Sequence, residues 1–141
     1  VKYSSSVALN ADVETVRPFV ADLSRYPEWM PLVFSATECG ADVWDVELRA
    51  KVGVFARSKR LRMRRTVQSE SLYVFERDED DGRKHSPWLM RVSIAPSESG
   101  STVAIDLSYG GNLWTAGVLD RVLASQVDAG KAGLAAAVHV A

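Results

Sequence analysis

Hydrophobic and polar positions along this chain repeat with a period of two through the middle and with a helical period near both ends. Residues 3–9 (YSSSVAL) read as a first strand. Asn10 and Asp12 are candidate helix N-caps, and Val13, Val16, Val20 and Leu23 then recur at helical spacing. Pro18 inside that segment removes a backbone donor, so the helix is expected to kink or to begin late. Ser24 to Glu28 read as a second short helix, kept brief by Pro27 and Pro31. From residue 32 the period changes to two. Trp44, Val46, Leu48, Ala50 and Val52 alternate with charged residues, and Gly53 to Ala56 make a turn. Leu61, Met63, Arg65 and Val67 share the next face, and Gln68 to Leu72 turn again. Tyr73, Phe75 and Arg77 follow, then an exposed charged loop from Asp78 to Lys84. Trp88, Met90, Val92 and Ile94 alternate in the next strand. Ser97 to Ser101 turn into Val103, Ile105, Leu107 and Tyr109. Strands joined in this way by short turns predict an antiparallel sheet with one apolar face.

Asn112 to Ala141 read as one long helix, long enough to cover that face. Its expected inner stripe is Leu119, Val122, Leu123, Gln126, Gly130, Gly133 and Ala137. The stripe starts bulky, turns polar once and ends small. Core helices usually carry large apolar residues throughout, so a thin face points to a hollow beneath it. The glycines also permit the opposite, a helix that lies close and fills the space.

Composition narrows this to one α+β domain spanning residues 1–141. The chain is 47% hydrophobic and 25% charged, a globular balance. A net charge of −1 supplies no global field for nucleic acid or anionic lipid. The single cysteine, Cys39, cannot form an internal disulfide, which suits a reducing compartment such as the cytoplasm or indifference to redox. No apolar run reaches the ~18 residues of a membrane span, and no signal peptide is visible. The first residue is valine, which fits a trimmed start. Metal-ligand spacing of Cys and His is absent, and no cofactor motif is found. His85 and His139 have no evident partner.

Three segments carry a resemblance. The first is Asn10-Ala11-Asp12-Val13-Glu14-Thr15-Val16, running on to Ala21-Asp22-Leu23-Ser24-Arg25-Tyr26-Pro27-Glu28-Trp29-Met30-Pro31. The second is Gly100-Ser101-Thr102-Val103, close to a Gly-Thr-x-Val start of a last strand. The third is Tyr109-Gly110-Gly111 followed by Leu119-Asp120-Arg121-Val122-Leu123. Their order and spacing resemble the START-like, helix-grip superfamily, also called the SRPBCC or polyketide cyclase/dehydrase-like family. The resemblance implies a curved, seven-stranded antiparallel sheet wrapped around the long C-terminal helix, with two short helices after the first strand. It also implies a deep cavity for an apolar or aromatic small molecule. Members include lipid carriers, polyketide aromatase/cyclases, coenzyme Q-binding proteins and stress or toxin-antitoxin proteins, and fold alone does not choose among them.

Arg57, Lys59, Arg60, Arg62, Arg64 and Arg65 form the strongest charge run. If Val67 pairs with Tyr73, Arg64 faces Glu76, Arg62 faces Asp78 and Arg60 faces Asp80. Such cross-strand pairs suit a solvated sheet face and not a nucleic-acid site. Arg65 has inward parity, and a buried guanidinium needs a carboxylate, a carbonyl, water or a ligand. An internal Arg65–Glu79 or Arg77–Glu79 pair is preferred to a catalytic role. The cyclase resemblance gives the other reading, in which Arg65 and Tyr109 act on a polyketide carbonyl or enolate. Trp44, Met63, Tyr73, Phe75, Arg77, Trp88 and Met90 are the expected sheet-side ligand contacts. Leu119, Leu123 and Gln126 are those of the helix, and Trp29 either gates or plugs the end. The function expected first is a carrier or sensor for a lipid, quinone or polyketide. The alternatives are an aromatase/cyclase-type enzyme and, third, a protein-interaction module. Open sheet edges allow a monomer or a homodimer.

Overall fold

The computed structural model describes residues 2–52, 55–110 and 116–140; the side chains of 52, 55, 56, 116–120, 122, 123 and 140 lie outside that description. Strand β1 (Lys2–Leu9) leads into helix α1 (Val13–Ala21) and a 3-10 helix (Leu23–Glu28). Six strands follow: β2 (Val33–Gly40), β3 (Val43–Val52), β4 (Phe55–Gln68), β5 (Leu72–Arg77), β6 (Trp88–Ser97) and β7 (Gly100–Tyr109). Helix α2 (Ala116–Val140) ends the chain's regular structure. The curved sheet has the order β1-β7-β6-β5-β4-β3-β2, antiparallel at every step.

Local chemistry explains the boundaries. The Asp12 carboxylate accepts from the Thr15 amide at 2.9 Å and caps α1, so the helix starts at once despite Pro18. Asp22 caps the 3-10 helix through the Ser24 amide, also at 2.9 Å. Gly100 has φ +137, and a Cβ there would meet the Ala11 carbonyl oxygen at 2.6 Å. The buried Ser101 hydroxyl donates to that same oxygen at 2.8 Å. The Gly100-Ser101 start of β7 thus docks the turn before α1 onto the sheet. The expected turn at Gly53 to Ala56 falls partly on residues 53 and 54, outside the described residues; Phe55 is already strand and lies opposite Val52.

Two sequence expectations need correction. The β4–β5 pairing sets Gln68, not Val67, against Tyr73, because the register shifts between Arg65 and Val67. One extra residue there forms a β-bulge, which alternation cannot reveal. Arg64 nevertheless faces Glu76 as expected. The second correction concerns α2. Among its described side chains Gly130 is buried as expected, whereas Val127, Leu134 and Val138 are buried in place of their neighbours Gln126, Gly133 and Ala137, which are half-buried. This face is not uniformly small, because the spacing of three and four follows the larger side chains.

Strand β5 is much shorter than β4. It stops at Arg77, opposite Met63, so the preceding part of β4 runs on without a strand on that side. The Asp78 amide donates to the Arg62 carbonyl at 2.9 Å, and Glu79 accepts from the Arg62 amide at 3.2 Å, which closes only the first step.

Candidate functional site

The inner face of the sheet is set by cross-strand pairs. Trp44 lies opposite Met63, Val46 opposite Leu61 and Leu48 opposite Lys59, so all six side chains point the same way. On the other flank Met90 pairs with Leu107 and Trp88 with Tyr109. Above these the 3-10 helix and the segment after it contribute Leu23, Met30, Leu32 and Val33. Together with Val46, Leu48, Leu61, Met63, Trp88, Met90 and Leu107 they enclose a void of ≈ 30 Å³. At ~10–15 Å³ per water-sized probe, this is room for on the order of two waters. Its described walls are hydrocarbon, three thioethers and one indole.

Polar groups stand next to the Trp88 wall of this void. The Trp88 and Tyr109 rings meet edge to face with centroids 4.7 Å apart. The Lys59 ammonium stands 5.8 Å from the Tyr109 ring centroid. Trp88 is 7% exposed, and its Nε1–H is buried with no hydrogen-bond partner. Gln126 on α2 likewise has a buried Oε1 without a partner.

The remaining aromatic candidates sit elsewhere, in a packed cluster. Trp29 donates from Nε1 to the Phe19 carbonyl at 2.9 Å and lies 4.6 Å from the Tyr26 ring. Trp44 donates to the Ser24 hydroxyl at 2.8 Å and meets Phe75 edge to face. The Tyr26 hydroxyl donates to the Val20 carbonyl at 2.8 Å, and burial pushes its pKa well above the ordinary tyrosine value. Tyr73 is buried near the Arg17 guanidinium. Trp29 is also where α2 comes closest: a Cβ on Gly133 would stand 2.1 Å from the Trp29 carbonyl oxygen, and one on Gly130 would be 3.5 Å from Met30. The glycines therefore admit the Trp29–Met30 segment, and Trp29 is 2% exposed.

Arg65 is drawn out of the cavity. Its guanidinium pairs with Asp42 and donates to the Ala21 carbonyl at 2.6 Å, with the Trp44 ring 5.3 Å away. Asp42 adopts a positive φ of 61 in the β2–β3 turn, and its own carbonyl accepts from the Arg65 amide at 2.8 Å. Of the two expected pairs, Arg77–Glu79 forms and Arg65–Glu79 does not, because Arg65 is clamped to Asp42. Inward parity was read correctly, but parity does not say how far along the face a side chain lies.

Glu79 instead holds Arg77 at 2.7 Å, with side chains 8% and 16% exposed for the arginine and the glutamate. Arg77 also donates to the Ser86 carbonyl at 3.2 Å and contacts His85 Nδ1 at 3.1 Å. His85 in turn reaches Asp81 at 2.9 Å. Both histidines have partners after all, since His139 Nε2 accepts from the Asn10 amide at 3.2 Å. Burial raises the Glu79 pKa, but hydrogen bonds from Arg77 and the Arg62 amide, with the positive charge nearby, outweigh it and leave the pKa lowered.

The outer-face cations find carboxylates, mostly on β3. Arg60 pairs with Glu47 at 3.0 Å, Arg62 with Asp45 at 3.4 Å and Arg64 with Asp78 at 2.7 Å. A cleft of ≈ 470 Å³ on this side is walled by Asp45, Glu47, Arg60, Arg62 and residues 79–81. It is larger than the inner void, and two ion pairs, Arg60–Glu47 and Arg62–Asp45, stand in its walls.

Of the expected ligand contacts, Met63, Trp88 and Met90 line the inner void, and Tyr109, expected as a catalytic residue, packs against Trp88 without lining it. Trp29, Trp44, Tyr73, Phe75 and Arg77 do not line it. Leu119 and Leu123 fall outside the described side chains. The lining residues not anticipated are chiefly Met30, Leu32 and Val33. Their signal was an apolar run just after the short helices. Among the described residues no group of His, Cys, Asp or Glu could hold a metal, and no helix is long and apolar enough to cross a membrane.

Comparison with known proteins places these features in a family. The model for the polyketide cyclase / dehydrase and lipid transport family matches residues 1–139. No curated protein matches the chain. Among solved structures, a START superfamily protein from Mycobacterium smegmatis superposes with a TM-score of 0.78 at 16% identity, covering 98% of this chain and 97% of that one. A conserved protein from Geobacillus kaustophilus gives 0.78 at 14% identity, covering 99% and 95%. A di-domain ARO/CYC, BexL, of the BE-7585A biosynthetic pathway gives 0.68 at 18% identity, covering 96% of this chain and 48% of the longer one.

Proposed function

This chain belongs to the polyketide cyclase / dehydrase and lipid transport family, and from that premise we propose that it binds an apolar small molecule in the void on the sheet's inner face, as a carrier or sensor. The observation that carries the reading is the lining. Aliphatic side chains, three methionines and Trp88 face one void, and thioether side chains readily reshape around a guest. The void is small as it stands, so a guest enters by moving those methionines and widening it.

The enzyme reading is the weaker one. A cyclase of the expected kind uses Arg65 against a carbonyl or enolate, and that guanidinium is committed to Asp42 and Ala21. The described lining holds no carboxylate or imidazole to serve as the general base of an enolisation. Native mass spectrometry of the purified protein tests the proposal, together with a thermal-shift screen against a lipid, a quinone and a polyphenol. A bound or stabilising apolar compound is the expected result. A protein that purifies empty and binds none of the three overturns the reading.

A further inference from the structure

Lys59 departs from the pattern of its own strand. Arg60, Arg62, Arg64 and Arg65 each hold a carboxylate, supplied by Glu47, Asp45, Asp78 and Asp42. Lys59 lies opposite Leu48 on the inner face and is half-buried. Among the described residues it has no carboxylate within ion-pair reach and rests over the Tyr109 ring. A cation turned toward an apolar space and partly removed from water is unfavourable until an anion joins it. Beside it stands a second unmet demand. The Trp88 indole N–H is buried without an acceptor, which is an uncommon state for a native donor. Tyr109 links the two, in ring contact with Trp88 and under the Lys59 ammonium.

The Trp88 wall of the void thus has a positive charge and a spare donor beside it, while the rest offers hydrocarbon and thioether. Resting on the cavity reading above, we infer that the ligand is an apolar carboxylic acid. Its carboxylate sits at Lys59 and Trp88, and its hydrocarbon lies among Met63, Met90 and Leu107. One ammonium and one N–H match the two oxygens of a carboxylate. A neutral quinone or alcohol would satisfy Trp88 and leave Lys59 unpaired.

The test compares dodecanoate with 1-dodecanol, which share a chain and differ in charge. Affinities are measured by titration calorimetry for the native protein, Lys59→Met and Trp88→Phe. The native protein is expected to prefer the acid by roughly tenfold or more, the scale of a hydrogen bond to a charged group. That preference should fall as salt is raised. It should vanish in Lys59→Met, whose fold is checked by its urea transition. Trp88→Phe should weaken binding of the acid while Lys59 keeps part of the preference. Equal affinity of the native protein for acid and alcohol, or an acid preference that persists in Lys59→Met, overturns the inference and leaves the cavity reading standing. Failure of both compounds to bind the native protein overturns the inference and counts against the cavity as well.

Discussion

Gly130 and Gly133 lie almost one helical turn apart on α2, yet their surroundings set opposite tolerances. At Gly133 the obstacle is the Trp29 backbone carbonyl, 2.1 Å from where a Cβ would stand, and backbone cannot step aside as a side chain does. Gly133→Ala is expected to destabilise the protein by about 2 kcal/mol or more, as overpacking does. At Gly130 the neighbour is the flexible Met30 side chain at 3.5 Å. Gly130→Ala should be neutral or stabilising by up to ~1 kcal/mol, from helix propensity. Urea denaturation of the two variants separates them. Glu79 gives a second prediction at this scale. Its folded pKa is lowered, so its contribution is complete above the ordinary glutamate range and is lost as pH falls through the lowered value. Glu79→Gln should therefore be less stable than the native protein at neutral pH. The gap should close on acidification, as followed by denaturation at a series of pH values.

At the scale of elements, Arg65 joins the end of α1 to the β2–β3 turn. Arg65→Met is expected to cost about 1–3 kcal/mol of stability, discounted because Asp42 is half in water. Hydrogen exchange near Ala21 should rise while affinity for an apolar ligand stays unchanged. A large loss of affinity would restore Arg65 to the binding site. The same strand shows what alternation can and cannot convey. The period-two patterns of β3, β4, β6 and β7 identify the inner face, because side chains alternate strictly across a sheet. They say nothing of the bulge after Arg65, and so misplace Val67 against Tyr73 by one position. The Arg65–Asp42 contact was beyond reach for a related reason. It depends on a turn with Asp42 at φ 61, a conformation that no periodicity encodes.

For the molecule as a whole, element order and the motifs at Asn10–Pro31 and Gly100–Val103 suffice for the fold. The Gly100 motif is legible because its glycine answers a backbone demand, a left-handed φ against Ala11. The cavity is less legible. Along the second half of α2 the stripe through Gly130 is met, but Val127, Leu134 and Val138 are buried more deeply than the expected Gln126, Gly133 and Ala137. A bound apolar ligand should raise the stability of the whole domain. At a free concentration of about one hundred times Kd the gain is roughly 2.7 kcal/mol, read as a rise in the urea midpoint with an unchanged slope.

The unequal lengths of β4 and β5 have a consequence for how such a guest is housed. A fully laddered sheet can swell only by tearing main-chain hydrogen bonds, each of which resists. Here the ladder beside β4 ends at Met63 and is prolonged only by the contacts of Asp78 and Glu79 with Arg62. Beyond that point the wall behaves as an expansion joint. A guest that displaces Lys59 there has no β4–β5 ladder hydrogen bond to break.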